Sequence, residues 1–143
     1  MLVFVDVIGY GWAVGGNLRA RYCNGEVIGV NVNTEARDKT RFRRLRDELW
    51  WEVRDEFIDG VISIPDDPIL IEELSAFHYQ EDENGLIKVE SKDDLAERGF
   101  DSPNRADCIM MRRYYTPLDV QRMKRGDRGE RRRDDPDVNW RTV

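Results

Sequence analysis

The sequence predicts an α/β fold, a mostly parallel sheet flanked by helices with a small β-hairpin added. Three observations predict it. A short apolar, β-branched run ends in a Gly-x-Gly turn. A helix-compatible stretch and a second apolar run follow within about 30 residues, the length of a βαβ unit. Further along, two short extended pieces flank a polar loop that contains Asn84-Gly85. The 143 residues amount to one domain's worth of chain. Hydrophobic residues make up 40% and charged residues 36%, which allows a modest core under a heavily solvated surface and excludes a wholly disordered protein.

Taken in order, Leu2-Val3-Phe4-Val5-Asp6-Val7-Ile8 reads as a strand buried on both faces of a parallel sheet, closed by Gly9-Tyr10-Gly11. Val14, Leu18 and Tyr22 are spaced for a helix over residues 12–22, stopped by Asn24-Gly25. Val27, Ile28, Val30 and Val32 mark a second strand over 26–32. Phe42, Leu45, Leu49, Val53 and Phe57 predict a long amphipathic helix from about residue 38 to 59, with Arg43, Arg44, Arg46 and Arg54 on its other sides. Residues 61–64 read as a short extended piece, and Pro65-Asp66-Asp67-Pro68 opens another helix through Leu70, Ile71 and Leu74, with an Asp cap and a proline in the first turn. Residues 77–80 and 86–90 form the strand pair, and 92–98 a short helix ended by Gly99. Ser102-Pro103, a capping residue followed by proline at the first helical position, launches a last helix over 104–114.

The formal charge of −6 is unevenly spread: the first 118 residues carry −8 and residues 119–143 carry +2, the latter including Arg131-Arg132-Arg133. That tail has almost nothing apolar before Val138 and Trp140 and is expected to be mobile. No run reaches the roughly 18–20 apolar residues of a membrane span, and the N-terminus does not read as a signal peptide, so a cytoplasmic location with no membrane partner is expected. Cys23 and Cys108 have no Cys or His at ligand spacing, which makes free, partly buried thiols the expectation and argues against a cysteine zinc site.

Asp6 is the first candidate for chemistry, because α/β folds place ligands beyond the C-terminal ends of their strands. Its alternative is to cap the turn that follows. Asp107, in the first turns of the last helix and on one face with Asn104, is the second; two converging carboxylates suit Mg²⁺ or Mn²⁺. Its alternative is an acid favoured by the helix dipole. The glycines do not complete a dinucleotide fingerprint: Val14 stands where the third glycine belongs, and no acid ends the second strand. His78, the only histidine, has no triad partner near it in sequence, which speaks against serine or cysteine catalysis.

Six segments occur in order: Val5-Asp6-Val7-Ile8-Gly9-Tyr10-Gly11, Val27-Ile28-Gly29-Val30-Asn31, Arg46-Asp47-Glu48-Leu49-Trp50-Trp51, Asp59-Gly60-Val61-Ile62-Ser63-Ile64-Pro65, Ile87-Lys88-Val89-Glu90-Ser91-Lys92 and Ser102-Pro103-Asn104-Arg105-Ala106-Asp107. Together they resemble the C-terminal nuclease domain of tailed-bacteriophage terminase large subunits. The resemblance implies an RNase H-like fold and metal-dependent endonucleolytic cutting of concatemeric double-stranded DNA during genome packaging, in a bacterial host cytoplasm. It also implies two divalent metals, Mg²⁺ or Mn²⁺, which activate water and stabilise the leaving oxygen. On this chain Asp6 matches the family's second metal-binding acid and Asp107 the third. Asn104 replaces an aspartate of the family motif, leaving at most a neutral oxygen for a metal. Lys92 matches the lysine of the Glu-Ser-Lys motif, a surface ion pair being its alternative.

The match covers part of the family's architecture. The family's first acid lies on a strand before this segment, and its ATPase domain lies before that. The expected organisation is therefore a partial RNase H-like nuclease domain over 1–114 and a charged, disordered tail over 115–143. Double-stranded DNA is the implied partner, with portal protein and the small terminase subunit beside it. The rival expectation is a noncatalytic DNA- or packaging-partner-binding module using Arg43, Arg44, Arg46 and the arginine-rich tail. A small-molecule enzyme built on the βαβ unit comes third.

Overall fold

The computed structural model describes residues 3–21 and 27–115. The tail over 119–143, Cys23 and the end of the first predicted helix at Tyr22 lie outside the described residues, whereas Cys108 is a free thiol that is exposed and not partly buried as expected. The described chain is mixed α/β, with one small parallel sheet, one small antiparallel hairpin and five α-helices. Its described residues fall into two compact units, one over residues 3–21, 27–31 and 114–115 and the other over Val32–Arg113.

In the first unit, β1 (Val3–Asp6) and β2 (Val27–Val30) pair in parallel, Val3 opposite Val27 and Asp6 opposite Val30. The connection is α1 (Gly11–Arg21), which packs on both strands and completes the predicted strand–helix–strand order. Val27 and Val30 are buried, while β1 is half-buried along its length.

The second unit begins with an irregular stretch and not with the helix predicted from residue 38. Asp38 bends the chain, its carboxylate accepting hydrogen bonds from the Thr40 backbone N–H at 3.0 Å and from the Thr40 hydroxyl at 2.5 Å. Phe42 then forms a one-residue parallel bridge to Ile87. Only after that does α2 (Leu45–Ile58) start. Its first free N–H groups are satisfied by carbonyls of the preceding stretch, Leu45 to Thr34 and Arg46 to Val32, both at 3.0 Å. The apolar spacing from Phe42 to Phe57 is real, but its first member is fixed by a distant strand instead of a helical turn.

Asp67 caps α3 (Pro68–Ala76) by accepting from the Ile69 and Leu70 N–H groups, with proline at the first position as predicted. The hairpin strands β3 (Tyr79–Glu81) and β4 (Ile87–Val89) follow. Residues 61–64, read as extended, have no strand partner among the described residues. Ser91 caps α4 (Lys92–Glu97) through the Asp94 N–H, and Asp94 reaches back to the Ser91 N–H at 3.0 Å, a reciprocal box.

The last helix, α5 (Asn104–Met111), continues as a 3₁₀ turn over Arg112–Tyr114. Here the cap differs from expectation. The N-cap is Pro103, which has no side-chain acceptor, and Ser102 lies one residue too early. Glu73 of α3 does the work instead, accepting from the Ala106 N–H at 2.8 Å. Helix α5 packs on both α2 and α3, and α2 packs on β4. Leu49, Leu95, Ala106 and Met110 are essentially inaccessible and form the centre of this core.

Candidate functional site

In the first unit, the turn after β1 explains its glycines. Gly9 has φ +65°, a left-handed conformation. At Gly11 a Cβ would sit 1.6 Å from the Asp6 carbonyl oxygen, so no other residue fits there. The Asp6 carboxylate accepts from the Ile8 N–H at 2.8 Å. The capping role weighed for Asp6 is thus present in the geometry.

In the second unit, Asp107 sits in the first turn of α5 with its side chain 13% exposed. One carboxylate oxygen is ion-paired to the Lys92 ammonium at the start of α4. The other, Oδ1, is buried without a hydrogen-bond partner. The Glu-Ser-Lys and Ser-Pro-Asn-Arg-Ala-Asp segments, 15 residues apart at Lys92 and Asp107, are therefore joined side chain to side chain. Asn104 stands exposed at the first position of α5, its Oδ1 3.2 Å from the Ser102 hydroxyl.

The three arginines grouped in the sequence separate in space. Arg43 and Arg44 are exposed, precede α2 and make no ion pair among the described residues. Arg46 turns inward: its guanidinium lies over the Phe77 ring at 5.5 Å and donates to the Val89 carbonyl at 3.4 Å, while Nη2 is buried and unpartnered. Burial pushes Arg46 below its ordinary pKa, opposed by the charges of Asp107, Asp47 and Asp94.

Asp47 and Glu48, the acids of the Arg46-Asp47-Glu48 run, are buried and bound to backbone. Asp47 accepts from the Val89 N–H at 2.9 Å and the Arg44 N–H at 3.0 Å; Glu48 accepts from the Arg37 N–H at 2.6 Å. Their lone pairs serve the fold. Sequence reading missed this inward cluster of Arg46, Asp47 and Glu48. The available signal was their spacing against Leu45 and Leu49, which puts them next to the apolar stripe.

No protein-family model matches the chain, and no curated protein matches it either.

The bare Oδ1 of Asp107 is a hard oxygen of the kind Mg²⁺ and Mn²⁺ prefer. One such oxygen beside a lysine is not a metal site, however, and no group of three His, Cys, Asp or Glu able to hold a metal occurs among the described residues. The described donor set does not fit a two-metal centre by itself. What these residues do unaided is hold a nearly buried carboxylate in a fixed place, charge-balanced by Lys92.

Proposed function

We propose that this chain is part of the nuclease domain of a phage terminase large subunit, with an RNase H-like fold, acting in endonucleolytic cleavage of concatemeric double-stranded DNA. Six ordered motifs support the reading. The single observation that carries it is Asp107: the motif acid is fixed by the motif lysine Lys92 and keeps a buried oxygen without a partner. On this reading Asp6 and Asp107 are each metal-binding acids, as the resemblance implies, a further carboxylate comes from outside the described residues, Mg²⁺ or Mn²⁺ is the cofactor, and portal protein and the small terminase subunit are assembly partners in the host cytoplasm. The test is nicking of supercoiled plasmid with Mn²⁺ by the chain joined to a strand carrying the family's first acid. Activity that disappears in Asp107→Ala is expected; a folded but inert protein would sink the proposal.

A second reading, a noncatalytic DNA-binding module, is favoured by the exposure of Arg41, Arg43 and Arg44 in one short stretch. Binding of that kind comes from phosphate neutralisation and is salt-dependent. Arg43→Ala and Arg44→Ala are each expected to lower the slope of log affinity against log salt by about 1, and Arg46→Met to leave it unchanged. Metal-independent binding with equal slopes in all three variants would remove this reading.

A further inference from the structure

An open groove of about 460 Å³ runs along the second unit, bounded by α2, α3 and β3. That is within the range of about 300–1,000 Å³ typical of occupied sites. Its walls include Trp51, Phe57, Ile58, Ile71, Leu74 and Tyr79. Four of these are open to solvent although apolar: Phe57 is 40% exposed, Ile58 65%, Ile71 43% and Tyr79 55%. Scattered exposed apolar residues need no explanation, but a contiguous set lining one depression marks a surface that is covered in use.

Charge says what covers it. Residues 55–87, which supply most of the groove wall, hold ten acidic residues and no lysine or arginine. Some of these acids are committed within the fold: Asp55 pairs with Arg54, Glu56 with Arg112 and Arg113, and Asp67 with Arg105, while Glu73 caps α5. None of the ten lines the groove itself, but Asp59, Glu72 and Glu81 follow the lining residues Ile58, Ile71 and Tyr79 by one or two positions, and these three, with Asp66 and Glu83, are exposed and form no ion pair among the described residues. The one cation in the wall among the described residues, Arg54, is stacked over Trp51 at 4.6 Å and paired with Asp55. Nucleic acid and anionic lipid are repelled by such a segment. A groove with two helical walls and an aromatic floor accepts the side chains of a third helix.

We propose that this groove docks an amphipathic helix of a partner protein whose apolar stripe is flanked by lysine and arginine. Apolar anchors one or two turns apart enter between α2 and α3, and the basic flanks meet the unpaired carboxylates. The surface is independent of Asp107 and of any nuclease activity.

The experiment uses the full chain and two synthetic helical peptides sharing one leucine stripe, with lysine at the remaining positions in one and glutamate in the other. Calorimetry gives affinity, and Trp50 and Trp51 in the wall report occupancy through their emission. The lysine peptide is expected to bind at least tenfold more tightly than the glutamate peptide. Ile71→Glu and Tyr79→Glu, both at exposed positions, are each expected to weaken it at least tenfold, and Glu72→Lys several-fold. Circular dichroism checks that each variant is folded. Equal binding of both peptides, or binding unchanged in Ile71→Glu and Tyr79→Glu, overturns the proposal. So does a concentration-dependent dimer that Ile71→Glu dissolves, which would make the groove a contact between copies of this chain.

Discussion

Asp107 has two oxygens in different circumstances, and the difference can be measured. Lys92 balances one of them, and a nearly buried carboxylate deprived of its cation costs more than an exposed one. Because Lys92 is itself about half exposed, solvent screens the pair and the cost is moderated. Lys92→Met is expected to destabilise the second unit by about 1 kcal/mol in urea unfolding. The double variant Lys92→Met with Asp107→Asn should lose less than the sum of its parts, since no orphan charge remains. Strict additivity would mean the two side chains do not interact in solution. Arg46 teaches the complementary lesson. Sequence placed it among solvent-facing arginines, whereas it is stacked on Phe77 and bonded to the edge of β4 at Val89, because the stem of an arginine covers apolar surface as well as an aliphatic residue does.

Among the elements, those with chemically explicit ends were legible. Asp67-Pro68 and Ser91 with Asp94 begin α3 and α4 where the residues say they should, and Asn84-Gly85 lies in the hairpin loop. The start of α2 was not legible, since it depends on Ile87, forty-five residues beyond Phe42. Nor was the cap of α5, since Glu73 comes from another helix. Of the candidate site, the sequence nominates Asp6 and Asp107 but not what they touch: the ion pair weighed as the alternative for Lys92 is present, and that its partner is Asp107 is a tertiary fact no local spacing announces.

Two carboxylates at the start of α4 also set an acid response. A hydrogen bond from Arg98 holds the Glu90 carboxyl below its usual pKa, reinforced by the His78 N–H; hydrogen bonds from Ser91 do the same for Asp94. A carboxylate whose folded pKa is depressed contributes stability above its unfolded value, about 4, and loses that contribution as pH falls through the lower folded value. Unfolding free energy is therefore expected to fall below about pH 5, less steeply in Glu90→Gln and Asp94→Asn than in the parent chain. Urea melts at a series of pH values between about 6 and 3 measure the slopes, and identical slopes would refute the assignment.

At the scale of the whole molecule, charge is partitioned. Residues 32–113 contain thirteen basic and twenty-one acidic residues, a net charge of −8, more negative than the chain's total of −6. A unit this acidic resists nonspecific adhesion to nucleic acid and draws basic partners from solution. Any DNA contact it makes has to be confined to a local face such as the one bearing Arg43 and Arg44.

The two-stranded hairpin carries a consequence of another kind. A short sheet offers neighbouring chains an open row of N–H and C=O groups, the usual seed of strand-by-strand aggregation. The outer edge of β4 offers little: Ile87 exchanges backbone hydrogen bonds with Arg41 and Arg43, and the Val89 N–H is taken by the Asp47 carboxylate. A side chain stands where the next strand would be. Asp47→Ala is therefore expected to gain a property as well as lose stability, forming thioflavin-positive assemblies at concentrations where the parent chain stays clear. If the variant unfolds more easily yet never assembles, the carboxylate only supports α2; if it assembles, Asp47 has been keeping the hairpin from finding its own copies.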